Sequence, residues 1–296
     1  MRRIISILGI LLIIPLILVG CGSNSNDKNK SDKLQISVSI SPLREFTEII
    51  GGDKVEVQAL VPNNVEAHDF ELKTRDAESL VKNSLFIYNG AGMEPWVEDL
   101  KNSVGESEIK FIDSSINATL IKTDNQTDPH LWLSLKEAQK QCKVILDALI
   151  DVDPDNKDYY QENYDNYKAE LEKLYNEYQP KFASLNNKYF VTGHEAFGYL
   201  CRDFGLEQKS LKDVFGEGEP TAKTYETLVD FCNTNKIKTI FSESTEPSKE
   251  AETLANEING QVEELHAMES KLEGKTYLEG MNENLERIYK ALLNVE

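Results

Sequence analysis

Apolar and polar positions along this chain change period several times, and the changes mark out its elements. Leu34-Gln35-Ile36-Ser37-Val38-Ser39-Ile40 alternates with a period of two, which predicts a strand. Ser41-Pro42 opens a helix running through Ile50, because proline is preset for the first helical turn. Further strands are expected at 55–61, 85–88 and 110–112, and helices at 72–82, 95–101 and 134–150. The last carries Leu135, Ala138, Cys142, Ile145, Leu146 and Leu149 at helical spacing. Asp153-Pro154 then predicts an N-cap followed by proline, and apolar residues recur at Tyr160, Tyr164, Tyr167, Leu171, Leu174, Tyr178, Phe182 and Leu185. A helix of about 30 residues would extend roughly 45 Å, with Pro180 as a kink or a weak end. Beyond it the alternation resumes, with strands expected at 189–191, 206–211, 239–241 and 262–265 and helices at 196–204, 221–235, 248–259 and 277–293.

Strands alternating with helices imply parallel sheets joined by crossover helices. The expected fold class is therefore α/β. Two lobes, 34–152 and 187–296, each hold a small parallel sheet flanked by helices, and one long backbone helix at 153–186 joins them. No repeat relates the lobes at the level of sequence.

The first 33 residues follow other rules. Arg2 and Arg3 precede an apolar core from Ile4 to Val19, too short to span a bilayer comfortably, so residues 1–20 read as an export signal. The run ends in Leu18-Val19-Gly20-Cys21, which resembles a bacterial lipobox and implies cleavage before Cys21 and lipidation of its sulfur. Residues 21–33, rich in Gly, Ser, Asn, Asp and Lys, form a flexible tether. The folded part is thus expected at the extracytoplasmic face of the cell membrane, held by a lipid anchor. The formal charge is −19, or −21 without Arg2 and Arg3, and no basic stripe offers itself to nucleic acid. Cys142, Cys201 and Cys232 form no CxxC pair and sit in apolar helical patterns, as small core residues do.

Candidate chemistry lies in the four histidines. Ligands of open parallel sheets bind beyond the carboxyl ends of strands. His68 follows the second strand, His130 lies in the loop after the fourth, His194 directly follows Tyr189-Phe190-Val191, and His266 with Glu269 follows the last strand. A cleft between the lobes would gather them. Each alone is better explained as a surface loop residue; together they suggest a metal site, since imidazole is the commonest protein ligand for zinc-like ions.

These segments resemble the metal-binding lipoproteins of bacterial ABC importers for zinc or manganese. The likeness runs from the lipobox through Val61-Pro62-Asn63-Asn64-Val65-Glu66-Ala67-His68-Asp69-Phe70-Glu71 and Asp128-Pro129-His130-Leu131-Trp132 to Gly193-His194-Glu195-Ala196-Phe197-Gly198 and Tyr277-Leu278-Glu279-Gly280. The resemblance implies a non-enzymatic carrier whose ligands are His68, His130, His194 and a carboxylate after the last strand. Glu269 matches that carboxylate best, with Glu243 as the fallback, and His266 matches no ligand position. It also implies a membrane permease and its ATPase as partners, and a monomer. Two departures stand out: 117–127 holds no histidine-rich insertion, and Ala67 replaces a proline that often precedes the first histidine.

Three imidazoles and one carboxylate suit tetrahedral Zn²⁺, whereas Mn²⁺, the alternative, prefers more oxygen donors. In the family the third position is often a carboxylate in manganese carriers; here it is His194. Two other classes are weighed. A surface zinc hydrolase would want a second histidine four residues after His194, where Gly198 stands. An adhesin with incidental metal would need no closed site.

Overall fold

The computed structural model describes residues 33–294 apart from 64, 66, 106, 123–125 and 244–248. The expected signal segment, Cys21 and all of the tether but Lys33 lie outside the described residues. Among those described, no helix is long and apolar enough to cross a membrane.

Two four-stranded parallel sheets organise the chain. The first contains β1 (Leu34–Val38), β2 (Val55–Ala59), β3 (Leu85–Tyr88) and β4 (Lys110–Asp113) in the order β2-β1-β3-β4. Central β3 reads as an apolar run, as strands covered on both faces do, and central β1 alternates in sequence but buries its polar Ser37 as well, while edge strand β2 alternates buried Val55 and Val57 with exposed Glu56 and Gln58. The second sheet contains β5 (Tyr189–Thr192), β6 (Glu207–Ser210), β7 (Thr239–Glu243) and β8 (Gln261–Leu265) in the order β6-β5-β7-β8. The strand order is the same in both, so the lobes repeat a topology that their sequences do not display.

Helices α1 (Ser41–Gly51), α2 (Thr74–Leu80), α3 (Val97–Val104) and α4 (Leu135–Val152) belong to the first lobe; α6 (Gly198–Phe204), α7 (Ala222–Thr234), α8 (Lys249–Glu257) and α9 (Tyr277–Leu293) belong to the second. Local chemistry fixes several boundaries. The Ser134 hydroxyl accepts from the Lys136 and Glu137 amides to start α4. Thr276 and Glu279 form a reciprocal capping box at the head of α9. Cys142, Cys201 and Cys232 are buried free thiols, and burial pushes the Cys232 thiol up to about 11.

The connecting helix α5 runs Lys157–Ser184, 28 residues and roughly 42 Å. It starts later than expected. Pro154–Asn156 makes a 3₁₀ turn, and the Asp153 carboxylate accepts from the Tyr160 hydroxyl at 2.6 Å and from Asn156 Nδ2 at 2.7 Å, not from a helix amide. Pro180 lies inside the helix, which continues for another turn because Tyr178 and Phe182 on either side are buried. The tyrosine-rich face packs on α1 and α4 in one lobe and on α6 and α9 in the other. Its hydroxyls tie the second lobe directly: Tyr175 donates to the Asp203 carbonyl at 3.3 Å and Tyr178 to Asn282 Oδ1 at 3.1 Å.

Candidate metal centre

His68, His130, His194 and Glu269 all sit past the carboxyl ends of strands, while the fallback Glu243 is the last residue of β7. His68 comes from the loop after β2, His130 from the segment joining β4 to α4, His194 from the turn leaving β5, and Glu269 from the loop after β8. His130 lies at the centre. Its Nε2 is 3.3 Å from His68 Nε2, 3.4 Å from His194 Nε2 and 3.9 Å from Glu269 Oε1. His68 Nε2 is 4.0 Å from the same carboxylate oxygen. His68, His130 and Glu269 bring ligand atoms within 4.8 Å of one another, and His194 joins them on the His130 side. Donors roughly 2.0–2.1 Å from a common tetrahedral centre stand about 3.3–3.4 Å apart. The two imidazole pairs that include His130 already have that spacing, and the carboxylate is about half an ångström wide of it.

Burial makes the cluster consequential. His130 is 0% exposed, His194 5% and Glu269 3%. Three imidazole nitrogens and a carboxylate gathered away from water are costly without a cation to share. The Phe215 ring, from the loop after β6, meets His68 edge-on at 5.1 Å between centroids and helps close the site from the second lobe.

The far side of each ring matters as much. Asp128 Oδ1 accepts from the His130 backbone amide and from its Nδ1, both at 2.9 Å. That leaves the Nε2 lone pair directed at the cluster. Burial pushes the Asp128 carboxyl up to about 7, against the lowering effect of the His130 amide. Gly198 permits this arrangement, because a Cβ there would lie 2.6 Å from Asp128 Oδ2. The residue that breaks the hydrolase-like spacing after His194 is thus a packing requirement of the His130 support. At His194, Glu243 Oε1 lies 3.5 Å from Nδ1, on the opposite side of the ring from the Nε2 cluster, a looser approach than that of Asp128 to His130. Gly193 leaves room for it, since a Cβ would meet Glu243 Oε2 at 2.4 Å.

His266 faces elsewhere. Its Nε2 is 2.9 Å from Glu283 Oε2, and Asn284 brackets its backbone, accepting from the amide and donating to the carbonyl, both at 2.8 Å. The Lys275 ammonium and then His266 hold the Glu283 carboxyl down to about 2. A depressed carboxyl stabilises the fold above its ordinary value of 4.5, and the contribution fades as pH falls toward 2. Glu283→Gln should therefore lower the melting temperature of metal-free protein at pH 5, with the gap narrowing by pH 3; a gap that stays constant would exclude this role.

Sequence reasoning passed over Asp128 and Phe215 as parts of the site. Asp128 had a signal, standing two residues before His130 with proline between. Phe215 had none, since only the fold brings it to His68.

Two parallel-sheet lobes bridged by one helix, with imidazoles and a carboxylate buried between them, have the build of a solute-binding protein for a divalent cation. The model of the ZnuA family, zinc-uptake complex component A, periplasmic, matches residues 36–291. A Treponema pallidum protein is 38% identical over 275 residues, 88% of this chain and 87% of that one. The high-affinity zinc uptake system protein ZnuA of Bacillus subtilis is 34% identical over 281 residues, 88% of each chain. Among solved structures, the laminin-binding protein Lmb of Streptococcus agalactiae, a bifunctional protein with adhesin and metal transporting activity, superimposes with a TM-score of 0.83 at 31% identity, over 88% of this chain and 99% of that one. The chain belongs to the ZnuA family, the non-enzymatic solute-binding components of zinc-uptake ABC transporters.

Proposed function

We propose that this chain captures one Zn²⁺ between its lobes through His68 Nε2, His130 Nε2, His194 Nε2 and Glu269, and delivers it to a membrane permease driven by its ATPase. The observation that carries this reading is the imidazole spacing of 3.3 and 3.4 Å around His130 in a buried setting. Nitrogen-rich donors with one carboxylate favour zinc over manganese. Glu243 supports His194 from behind and is not counted as a ligand, because the opposite ring nitrogen faces the cluster. Residues 1–20 direct export, Cys21 carries the lipid, and 21–33 tether a monomeric carrier made of lobes 34–152 and 187–296 on the helix of 153–186. That rigid connector limits cargo release to small lobe and loop movements.

The deciding experiment is elemental analysis of protein purified from medium balanced in zinc, manganese, iron and copper. One zinc per chain is expected. Manganese in its place would favour the oxygen-preferring alternative, and no bound metal would sink the carrier reading.

A further inference from the structure

We propose that Trp132 is a positioning residue: it straps the Glu269 loop of the second lobe to the first and thereby slows the departure of zinc. The proposal rests on the carrier reading above and adds a residue to which no ligand role belongs.

Trp132 is fully buried and stands two residues after His130. Its indole Nε1–H donates across the lobe boundary to the Ala267 carbonyl at 2.7 Å. In return the Tyr277 hydroxyl, at the head of α9, donates to the Trp132 carbonyl at 2.5 Å. One residue of the first lobe therefore grips both ends of the segment that carries Glu269. Within that segment Met268 adopts φ 60°, a left-handed conformation that a long side chain takes up only when its surroundings impose it. The segment has further ties to the first lobe: the Tyr277 amide donates to Glu45 Oε1 at 2.7 Å and the Lys271 amide to Asn63 Oδ1 at 3.4 Å. The Ser41 amide donates to the Glu269 carbonyl at 3.2 Å and the Ala67 amide to Glu269 Oε2 at 3.3 Å, while Asn284 holds only His266.

Cargo leaves when the lobes part or when Glu269 swings out. Both movements draw Ala267 away from Trp132 and leave a buried indole N–H without its acceptor until water reaches it, which raises the barrier to release. The strap acts on the loop, not on the ion, so its effect should depend on Glu269 being there to position.

The test is the rate of zinc release into excess chelator, followed by stopped flow. Trp132→Phe keeps an aromatic ring and removes the donor; release is expected about tenfold faster, with zinc uptake rates unchanged. In a Glu269→Ala background the same substitution should change release by less than about twofold. Should Trp132→Phe fail to fold, Tyr277→Phe removes the reciprocal bond and is expected to speed release severalfold. Equal losses of melting temperature in metal-free and loaded Trp132→Phe, with release unchanged, would reduce Trp132 to a packing residue and overturn the strap alone. An unmutated chain that takes up no zinc would overturn the carrier reading first, before any variant is compared.

Discussion

His130→Ala is expected to weaken zinc binding by roughly 10³-fold, more than the same change at His68 or His194. A four-ligand zinc site in a small domain is worth about 10–16 kcal/mol, or about 2.5–4 kcal/mol per ligand, and each 1.4 kcal/mol is a factor of ten. His130 belongs at the upper end because its Nε2 borders all three other donors, at 3.3, 3.4 and 3.9 Å. Its loss also strands the Asp128 carboxyl, buried and shaped around the missing ring. At fixed zinc concentration a 10³-fold weaker site forfeits about 4 kcal/mol of ligand-linked stability. For a folded unit of this size that corresponds to a zinc-induced rise in Tm smaller by roughly 8–16 °C. Competition against a chelator of known affinity measures the first quantity and a melting curve with and without zinc the second. A variant within tenfold of the parent would remove His130 from the centre of the site.

The second large effect separates two side chains three residues apart. Glu269→Ala should cost about 10²–10³ in zinc affinity and shrink the zinc-induced rise in Tm, while His266→Ala should leave that increment unchanged and lower the stability of both states together. The reason lies in which way each side chain faces. Glu269 Oε1 is within 4.0 Å of two imidazole nitrogens, and its partner oxygen accepts from the Ala67 amide in the other lobe. His266 turns to Glu283 on α9. The opposite pattern, with His266→Ala abolishing the increment, would transfer the ligand role to His266.

Much of this arrangement could be read before any fold was seen, and the reason is periodicity. The helical spacing from Leu135 to Leu149 depends on burial of one face, which the sequence displays directly; the alternation at 34–40 marks a strand whose polar Ser37 and Ser39 are buried as well. The start of the long helix was misplaced because Asp153 looks like a cap; only the fold brings Tyr160 to its carboxylate. The placing of His68, His130, His194 and Glu269 after strands followed from topology, whereas preference for Glu269 over His266 came from resemblance alone. What stayed hidden were contacts between residues distant in sequence. Trp132 on Ala267, Phe215 on His68 and the space left by Gly198 for Asp128 have no local pattern. The shared strand order of the two sheets was invisible for a similar reason: a topology constrains which positions are apolar but not which apolar residue fills them.

That shared order has a consequence for how the molecule matures. Each sheet presents two of the four proposed donors, His68 and His130 on one side, His194 and Glu269 on the other. Neither half can enclose an ion by itself, and a two-donor fragment would hold zinc weakly enough to lose it to any competing chelator. Tight uptake therefore begins only when both halves have folded and docked along the shared helix. The ion becomes a fastener between two folding units, and a chain with only one half formed would lack the donors to hold its cargo tightly.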